Sequence, residues 1–249
     1  MNVLPETDGS AQQPDPAGRT LVAVCTYNEA ANIGEVLRRI RRALPGADLL
    51  VVDDASPDGT SQIVREFAAA DAGVTLIERQ GERGLGGAIR RAIEHAITGS
   101  YEAFLNLDAD LSHPPERLPE LLRRAQEGTD VVVGSRYVPG GKIEGWSLRR
   151  RIMSRMVNRF ATACLRLPVR DCSGSMRCYR VEALRRLDRA GLRNNGYALL
   201  EELLVRLHQQ GASMAEVPIT FTDRAEGSSK LTLREAFRSV WQIVRLSWS

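Results

Sequence analysis

The sequence predicts an α/β fold with a mainly parallel central sheet and helices on both faces. Two observations support this prediction. Strand-like and helix-like patterns alternate between residues 20 and 135, and the strand-like segments are continuous apolar runs, as in the segment DLLVVD at 48–53. A polar or glycine-rich loop follows each run. Because ligands of such sheets bind beyond the carboxyl ends of the strands, these loops are the predicted functional site.

Composition limits the classes of protein. The chain has 249 residues, of which 43% are hydrophobic and 26% charged, as in soluble globular proteins. Residues 1–19 predict a flexible tail, 20–230 a folded domain and 231–249 an amphipathic terminal helix. The net charge of +3 is too small to indicate a nucleic-acid partner. Without a signal-peptide pattern, a long apolar run or paired cysteines, we expect a cytoplasmic protein.

The elements of the first half follow from apolar spacing. Five strands are predicted at 21–24, 48–53, 74–77, 101–107 and 130–134. Helices are predicted at 30–43, after the turn at 56–59, from the glycine-rich segment 84–87 to about 97, and at 116–127. In the first helix Ile33, Val36, Leu37 and Ile40 recur at helical spacing, and Asn28 is the predicted N-cap.

The second half breaks this alternation. Helices are predicted at 146–167 and 197–210, a polar segment leading into a strand at 171–180, and a strand at 215–222 in which Pro218 favours a sheet edge. In the helix at 146–167 six apolar residues are expected to face inward and the arginines outward: Ile152, Met153, Met156, Val157, Phe160 and Cys164. Two alternatives stay open for Arg149–Arg155, a solvated helix face or contact with lipid head groups. The terminal helix, with Trp241 and Trp248, fits either the core or a membrane interface.

One short segment predicts a metal site. The apolar run at 103–107 ends in Asp108 and Asp110, and Pro114-Pro115 then starts a new element. Two carboxylates this close repel each other unless a cation or a proton lies between them. Oxygen ligands favour a hard ion, Mg²⁺ or Mn²⁺. The alternative is a polar loop whose aspartates cap the helix that begins near Pro115.

Five motifs together resemble one family. They are Cys25-Thr26-Tyr27-Asn28-Glu29, VVDDASPDGT at 51–60, DADLSHPP at 108–115, GSRYVPGG at 134–141, and Asp223-Arg224 with GSSKL at 227–231. From about Thr20 to Leu233 the chain resembles the dolichol-phosphate mannosyltransferases, the polyprenol-phosphate mannose synthases among the family 2 glycosyltransferases. The resemblance implies a GT-A type nucleotide-sugar-binding fold, with an acceptor-side part at about 135–230. It also implies inverting transfer of mannose from GDP-mannose to a dolichyl or polyprenyl phosphate.

The resemblance and the chemistry of the side chains assign candidate site residues. Nucleotide-sugar binding is assigned to Thr26, Tyr27, Glu29, Asp53, Asp54, Gly84, Leu85 and Asp108. The metal ligands are Asp108, Asp110 and Ser112; the catalytic residues are Asp110, Arg136, Arg224 and Lys230; the acceptor phosphate contacts Arg136, Ser228, Ser229 and Lys230. His113 is expected to lie in a supporting layer or on the surface, and Asp58 to bind ligand or cap a helix.

The acceptor explains why no general base is assigned. A sugar hydroxyl must lose a proton to attack, whereas a lipid phosphate is largely ionised near neutral pH, since its second pKa is about 6. The site then needs cations to hold an anionic nucleophile beside an anionic diphosphate.

Alternatives remain at the level of function. One is transfer of glucose or another sugar to a polyprenyl phosphate or a non-lipid acceptor; another is a non-catalytic nucleotide-sugar-binding or scaffold protein. The lipid acceptor predicts peripheral attachment at the cytoplasmic face of a membrane, through the chain's own helices or through a membrane-anchoring partner.

Overall fold

The centre of the structure is a seven-stranded, mostly parallel sheet with helices on both faces. The structure is a computed structural model and describes residues 18–81, 83–188, 192, 196 and 198–223. The strands are β1 (Thr20–Thr26), β2 (Asp48–Asp53), β3 (Val74–Glu78), β4 (Ala103–Asp108), β5 (Val131–Ser135), β6 (Lys142–Glu144), β7 (Arg177–Arg180), β8 (Met214–Pro218) and β9 (Thr220–Thr222). The helices are α1 (Ile33–Ala43), α2 (Thr60–Ala70), α3 (Leu85–Thr98), α4 (Leu118–Gln126), α5 (Leu148–Cys164), α6 (Val181–Arg185) and α7 (Ala198–Gln209), and a 3₁₀ turn (Pro115–Arg117) precedes α4.

The strand order is β3-β2-β1-β4-β7-β5-β8. All neighbouring strands are parallel except β7, which runs antiparallel between β4 and β5. Because β1, β2 and β4 run the same way, their carboxyl ends meet at one edge of the sheet. β6 and β9 form a separate parallel pair.

Each face of the sheet has its own hydrophobic core, which confirms the predicted fold class. In β1, Leu21 and Ala23 pack on the face covered by α3, α6 and α7, whereas Val22 and Val24 pack on the face covered by α1, α2 and α4. Successive side chains of a strand point to opposite faces, so a strand buried on both sides is apolar throughout.

Two local predictions were wrong. Helix α1 begins at Ile33 with Asn32 as its N-cap, and Asn28 has a φ of 59°, a left-handed turn conformation, ahead of the helix. The predicted strand at 215–222 is two strands: β8 pairs with β5 at the sheet edge, as Pro218 predicted, and β9 pairs with β6.

Helix α5 contradicts the predicted burial pattern at three of the six residues, whereas Met153, Val157 and Cys164 are half-buried. Ile152, Met156 and Phe160, which were expected to face inward, are exposed, and the residues of α5 that are buried are Asn158 and Ala161. The side chain of Asn158 donates to Ser173 Oγ at 3.1 Å and accepts from the Cys172 backbone N–H at 3.2 Å. These hydrogen bonds join the middle of α5 to the segment at 172–173, and the side of α5 that carries Ile152, Met156 and Phe160 faces solvent.

The predictions for the tail at 1–17 and for the helix at 231–249 concern residues outside the described part of the chain. Among the helices that are described, none has both the length and the apolar character needed to cross a bilayer.

Candidate active site

A cavity of about 340 Å³ lies at the carboxyl ends of β1, β2 and β4. Its lining contains every residue predicted to bind the nucleotide sugar except Asp53, together with Asp110. The walls consist of Cys25, Thr26, Tyr27, Glu29, Asp54, Arg83, Gly84, Leu85, Ala88, Asp108, Ala109 and Asp110. The topology therefore brings together loops that are up to about eighty residues apart in the sequence.

Asp53 is fully buried and lies outside the lining of this cavity. Its carboxylate accepts hydrogen bonds from the hydroxyls of Thr26, Ser56 and Ser61 and from the backbone N–H of Ser56. Burial acts to raise the pKa of Asp53, but these donors outweigh it and the pKa is lowered. Asp53 therefore orders the loop that carries Asp54, and its direct contact with a nucleotide stays a prediction.

Asp54 connects the second strand to the glycine-rich loop. One carboxylate oxygen accepts from Arg79 at 2.7 Å, and the other accepts from the backbone N–H of Gly84 at 2.7 Å. Gly84 has a φ of 139°, a conformation that favours glycine, and Leu85 begins α3 immediately after it. In this arrangement the backbone N–H of Gly84 holds Asp54 beside the start of α3.

The sequence did not predict Arg79 or Arg83 at this site. Arg83 donates to the hydroxyl of Tyr27 at 2.7 Å, and its guanidinium lies 4.8 Å from the centre of the Tyr27 ring. Tyr27 is 43% exposed. A basic residue directly before a glycine-rich helix start was the available signal, since both features favour an anion.

The D-x-D segment delivers two carboxylates and an imidazole to one point. One ligand atom each from Asp108, Asp110 and His113 lies within 4.8 Å of the other two. Asp108 ends β4 and is partly exposed, Asp110 is 7% exposed, and both line the cavity. Carboxylate oxygens with an imidazole suit Mg²⁺ or Mn²⁺, so the residues present fit the expected metal.

Ser112 and His113 each contact one of the two aspartates. The Ser112 hydroxyl donates to Asp110 Oδ1 at 2.5 Å, and its backbone N–H donates to the same oxygen, so Ser112 orients Asp110 from behind. His113 is buried, which excludes the surface position, and its Nδ1 lies 3.6 Å from Asp108 Oδ2. Burial lowers the pKa of His113, although the negative charge of Asp108 acts to raise it. The imidazole is therefore neutral, the form that can bind a metal.

Arg136 follows β5 and forms a buried ion pair with Asp171. Its Nε and one terminal nitrogen each donate to an Asp171 carboxylate oxygen at 2.7 Å, and its backbone N–H donates to the same side chain. Burial favours the neutral form of both groups, but their mutual attraction prevails: the pKa of Arg136 is raised and that of Asp171 is lowered. The sequence did not identify Asp171 as this partner.

Arg136 lines a second cavity of about 190 Å³ and is absent from the lining of the first. The walls of this second cavity combine basic and apolar residues: Arg136, Tyr137, Gly141, Lys142, Ile143, Leu148, Arg151, Ile152 and Arg155. The predicted residues Arg224, Ser228, Ser229 and Lys230 lie outside the described part of the chain.

Comparison with known proteins places this geometry in a family. The model of the Glycosyl transferase family 2 matches residues 21–188. The chain is 38% identical to a polyprenol monophosphomannose synthase from Mycolicibacterium smegmatis, over 90% of this chain and 86% of that protein. It is 38% identical to an undecaprenyl-phosphate mannosyltransferase from Micrococcus luteus, over 86% and 88% of the two chains. A dolichol-phosphate mannosyltransferase from Pyrococcus furiosus is 36% identical, over 90% of this chain and 62% of that protein.

Solved structures support the fold. A glucosyl-3-phosphoglycerate synthase from Mycobacterium tuberculosis, in complex with Mn²⁺, UDP and phosphoglyceric acid, superposes with a TM-score of 0.68 at 21% identity, over 92% of this chain and 78% of that one. A mannosyltransferase from Pyrobaculum calidifontis in complex with GDP-Man and Mn²⁺ gives 0.64 at 21% identity, over 92% and 64%. From the family match and the similarity to these relatives, the chain belongs to glycosyl transferase family 2.

Proposed function

We propose that the protein transfers mannose from GDP-mannose to a polyprenyl phosphate, with inversion at the sugar carbon. One joint observation supports this most strongly. The acidic strand-end cavity, with its D-x-D carboxylates opposite the start of α3, belongs to a chain that is 38% identical over 90% of its length to a polyprenol monophosphomannose synthase.

The strand-end cavity is the proposed donor site. Tyr27, Glu29 and Asp54 line the part formed by β1 and β2, where they can contact base and ribose. Asp108 and Asp110 would hold Mg²⁺ or Mn²⁺ together with His113. The ion, when bound, neutralises charge on the departing diphosphate. Arg83, at the mouth of the cavity, is a further cation near the donor.

The acceptor phosphate is proposed to bind on the side of Arg136. One phosphate oxygen attacks C1 of mannose while the bond from C1 to the GDP oxygen breaks, so that GDP leaves with the bonding electron pair. The phosphate is largely ionised at neutral pH, so no side chain has to remove a proton. Arg136, Arg224 and Lys230 are the proposed cations for this step, and Ser228 and Ser229 the proposed donors. The Arg136–Asp171 pair fixes Arg136 in one orientation before any ligand binds.

The reaction is proposed to take place at the cytoplasmic face of a membrane, with the chain attached peripherally, because the donor is water-soluble and the acceptor is a lipid. Whether the chain attaches by itself or through a membrane-anchoring partner is decided by flotation of the purified protein with vesicles.

The test is a donor panel with undecaprenyl phosphate as acceptor. Radiolabelled GDP-mannose and UDP-glucose are compared with Mg²⁺, with Mn²⁺ and with a chelator, and lipid products are extracted and separated by thin-layer chromatography. We expect label in a lipid product from GDP-mannose only, and loss of that product with the chelator. Label from UDP-glucose in the lipid, or label only in water-soluble products, would overturn the assignment.

A further inference from the structure

The solvent-facing side of α5 carries a continuous apolar stripe. Leu148, Ile152, Met156 and Phe160 are 69%, 52%, 67% and 45% exposed. They recur every fourth residue, so they lie along one side of the helix over about 18 Å. Single exposed apolar residues are common on protein surfaces, but a row of four marks a contact with something outside the folded domain.

Arginines border this stripe, and most of them lack an acidic partner among the residues that the structure describes. No Asp or Glu occurs between Trp146 and Arg170. Of the arginines in that stretch, only Arg150 forms a salt bridge with a carboxylate of the described residues, pairing with Asp223 at 3.1 Å. The others are Arg149, Arg151, Arg155, Arg159, Arg166 and Arg170. We call the stripe together with these arginines the α5 surface.

Several of these arginines line a third cavity, which adjoins the 190 Å³ cavity and shares Tyr137, Gly141 and Arg155 with it. It has a volume of about 710 Å³, and Arg155, Arg159 and Arg170 contribute to its walls with Thr162 and the segment from Tyr137 to Gly141. Guanidinium groups without nearby carboxylates bind phosphate oxygens with charge-assisted hydrogen bonds. The cavity has the size and charge for an anionic head group.

The α5 surface adjoins the acceptor side of the site. The hydroxyls of Tyr137 and Ser154 lie 2.7 Å apart, which joins α5 to the segment that carries Arg136. Leu148 and Ile152 belong to the stripe and also line the 190 Å³ cavity that contains Arg136. A lipid held along the stripe is therefore next to the proposed acceptor cavity.

We propose that the α5 surface is where the protein lies on an anionic membrane, with the stripe at the boundary of head groups and acyl chains and the 710 Å³ cavity holding a lipid head-group phosphate. The proposal rests on the proposed function, which requires an acceptor embedded in a bilayer. An amphipathic helix with apolar residues on one side and arginines beside them is suited to this position.

Charge argues against a second copy of the chain, and against its C-terminal segment, as the occupant of the α5 surface. A second copy would bring the same unpaired arginines against each other, and like charges in contact are unfavourable. The C-terminal segment 224–249 contains five basic and two acidic residues, so its net charge of +3 also fails to complement the arginines. Anionic lipid supplies the missing negative charge and an apolar layer together.

The experiment is flotation of the full-length chain with two kinds of vesicle, phosphatidylcholine alone and phosphatidylcholine with roughly one third phosphatidylglycerol. One variant removes two unpaired arginines (Arg159→Gln with Arg170→Gln), and a second removes stripe residues (Met156→Gln with Phe160→Gln). The matched control, Arg38→Gln with Arg42→Gln, removes the same charge from α1, where both arginines pair with Glu35. Circular dichroism and thermal unfolding verify that each variant folds.

We expect wild type and the α1 control to bind the anionic vesicles alike. The arginine variant should bind roughly 30-fold more weakly, at about fivefold per arginine. The stripe variant should lose binding to both kinds of vesicle. Equal loss in the α1 control would show that total charge alone governs binding and would overturn the proposal. So would loss on changing Trp241 and Trp248 to Gln while the stripe variant still binds, or a wild-type dimer that the stripe variant dissociates.

A transfer assay separates failure of this proposal from failure of the proposed function. Each protein is given a short-chain, water-soluble prenyl phosphate and, separately, undecaprenyl phosphate in vesicles. We expect the stripe variant to lose activity only with the vesicle acceptor. Wild-type flotation without any mannose transfer would reject the proposed function alone, and transfer from vesicles that is indifferent to the α5 variants would reject the α5 surface alone.

Discussion

Helices α1 and α5 are both rich in arginine and in apolar residues at helical spacing, yet their surroundings are opposite. In α1, Ile33, Val36, Leu37 and Ile40 are buried, and each arginine pairs with a carboxylate: Arg38 and Arg42 with Glu35, Arg39 with Glu116, and Arg41 with Asp71. In α5 the apolar stripe is exposed and all but one of the arginines lack such a partner among the described residues.

The difference teaches that amphipathicity alone does not say what covers a helix. In helix α1 the apolar side chains are buried and the arginines are paired within the chain, so both contribute to the stability of the fold. Helix α5 keeps apolar area and positive charge for a contact outside the folded domain, beside the acceptor cavity. The cavities also differ in charge. The strand-end cavity is lined mainly by carboxylates, which favour a bound cation, whereas the 710 Å³ cavity beside α5 is lined by arginines, which favour a bound anion.

The largest effect on activity is expected from a substitution in the acidic strand-end cavity. Asp110→Asn keeps the shape of the side chain but removes charge from the proposed metal site. We expect mannose transfer to fall on the order of 10² to 10³-fold with both the soluble and the vesicle acceptor. The stripe variant, by comparison, should affect the vesicle acceptor alone. Asp71→Asn removes one acid that pairs with Arg41 far from the cavity and should keep wild-type transfer; wild-type activity in Asp110→Asn would refute the role of Asp110.

Breaking the buried Arg136–Asp171 pair tests how strongly charge pairing contributes to the free energy of unfolding. Asp171→Asn leaves the buried Arg136 without its counter-charge, and we expect the free energy of unfolding in urea to fall by about 3–5 kcal/mol. Removing an exposed partner, as in Arg42→Gln, should cost less than about 1 kcal/mol. Because Arg136 lowers the pKa of Asp171, the stabilisation is complete above pH of about 4 and is lost as pH falls through the lowered value. Equal effects of the two substitutions would contradict the contrast.

We expect salt to act differently on the paired arginines of α1 and on the arginines of the α5 surface. Raising ionic strength from about 0.1 M to about 1 M shortens the Debye length from about 10 Å to about 3 Å. We expect wild-type binding to anionic vesicles to weaken at least tenfold, on the order of two lost arginine contacts, whereas the free energy of unfolding should change by less than about 1 kcal/mol. The variant of Arg159 and Arg170 should show a smaller salt dependence, and an unchanged dependence would argue that these two arginines do not face the membrane.

The smallest expected effect concerns carboxylates on the two sides of the sheet. Hydrogen bonds lower the pKa of Asp53, whereas burial raises the pKa of Glu201 on α7 to about 7. A folded-state pKa above the unfolded value means that Glu201 destabilises the fold increasingly as pH rises from about 4.5 to about 7. Glu201→Gln should therefore raise the melting temperature at pH 8 by a few degrees more than at pH 5, as calorimetry can measure. A gain that is equal at both values of pH would indicate another cause.

The sequence by itself determined the layers of the fold and much of the donor side of the site. Continuous apolar runs predicted the strands, since a strand covered on both faces excludes polar residues along its whole length. Strand ends and the D-x-D spacing predicted where Tyr27, Asp54, Asp108 and Asp110 would meet, because parallel strands bring their carboxyl ends to one edge.

Only the tertiary structure decided which of these groups remain available to a ligand. Asp53 and Asp54 are neighbours in sequence, yet one is enclosed by hydroxyls and the other lines the cavity. Arg136 pairs with Asp171 thirty-five residues away, and Asn158 joins α5 to the segment at 172–173 by two hydrogen bonds. Local periodicity records which residues are apolar, but what covers them depends on contacts between distant segments, and these form only when the chain has folded.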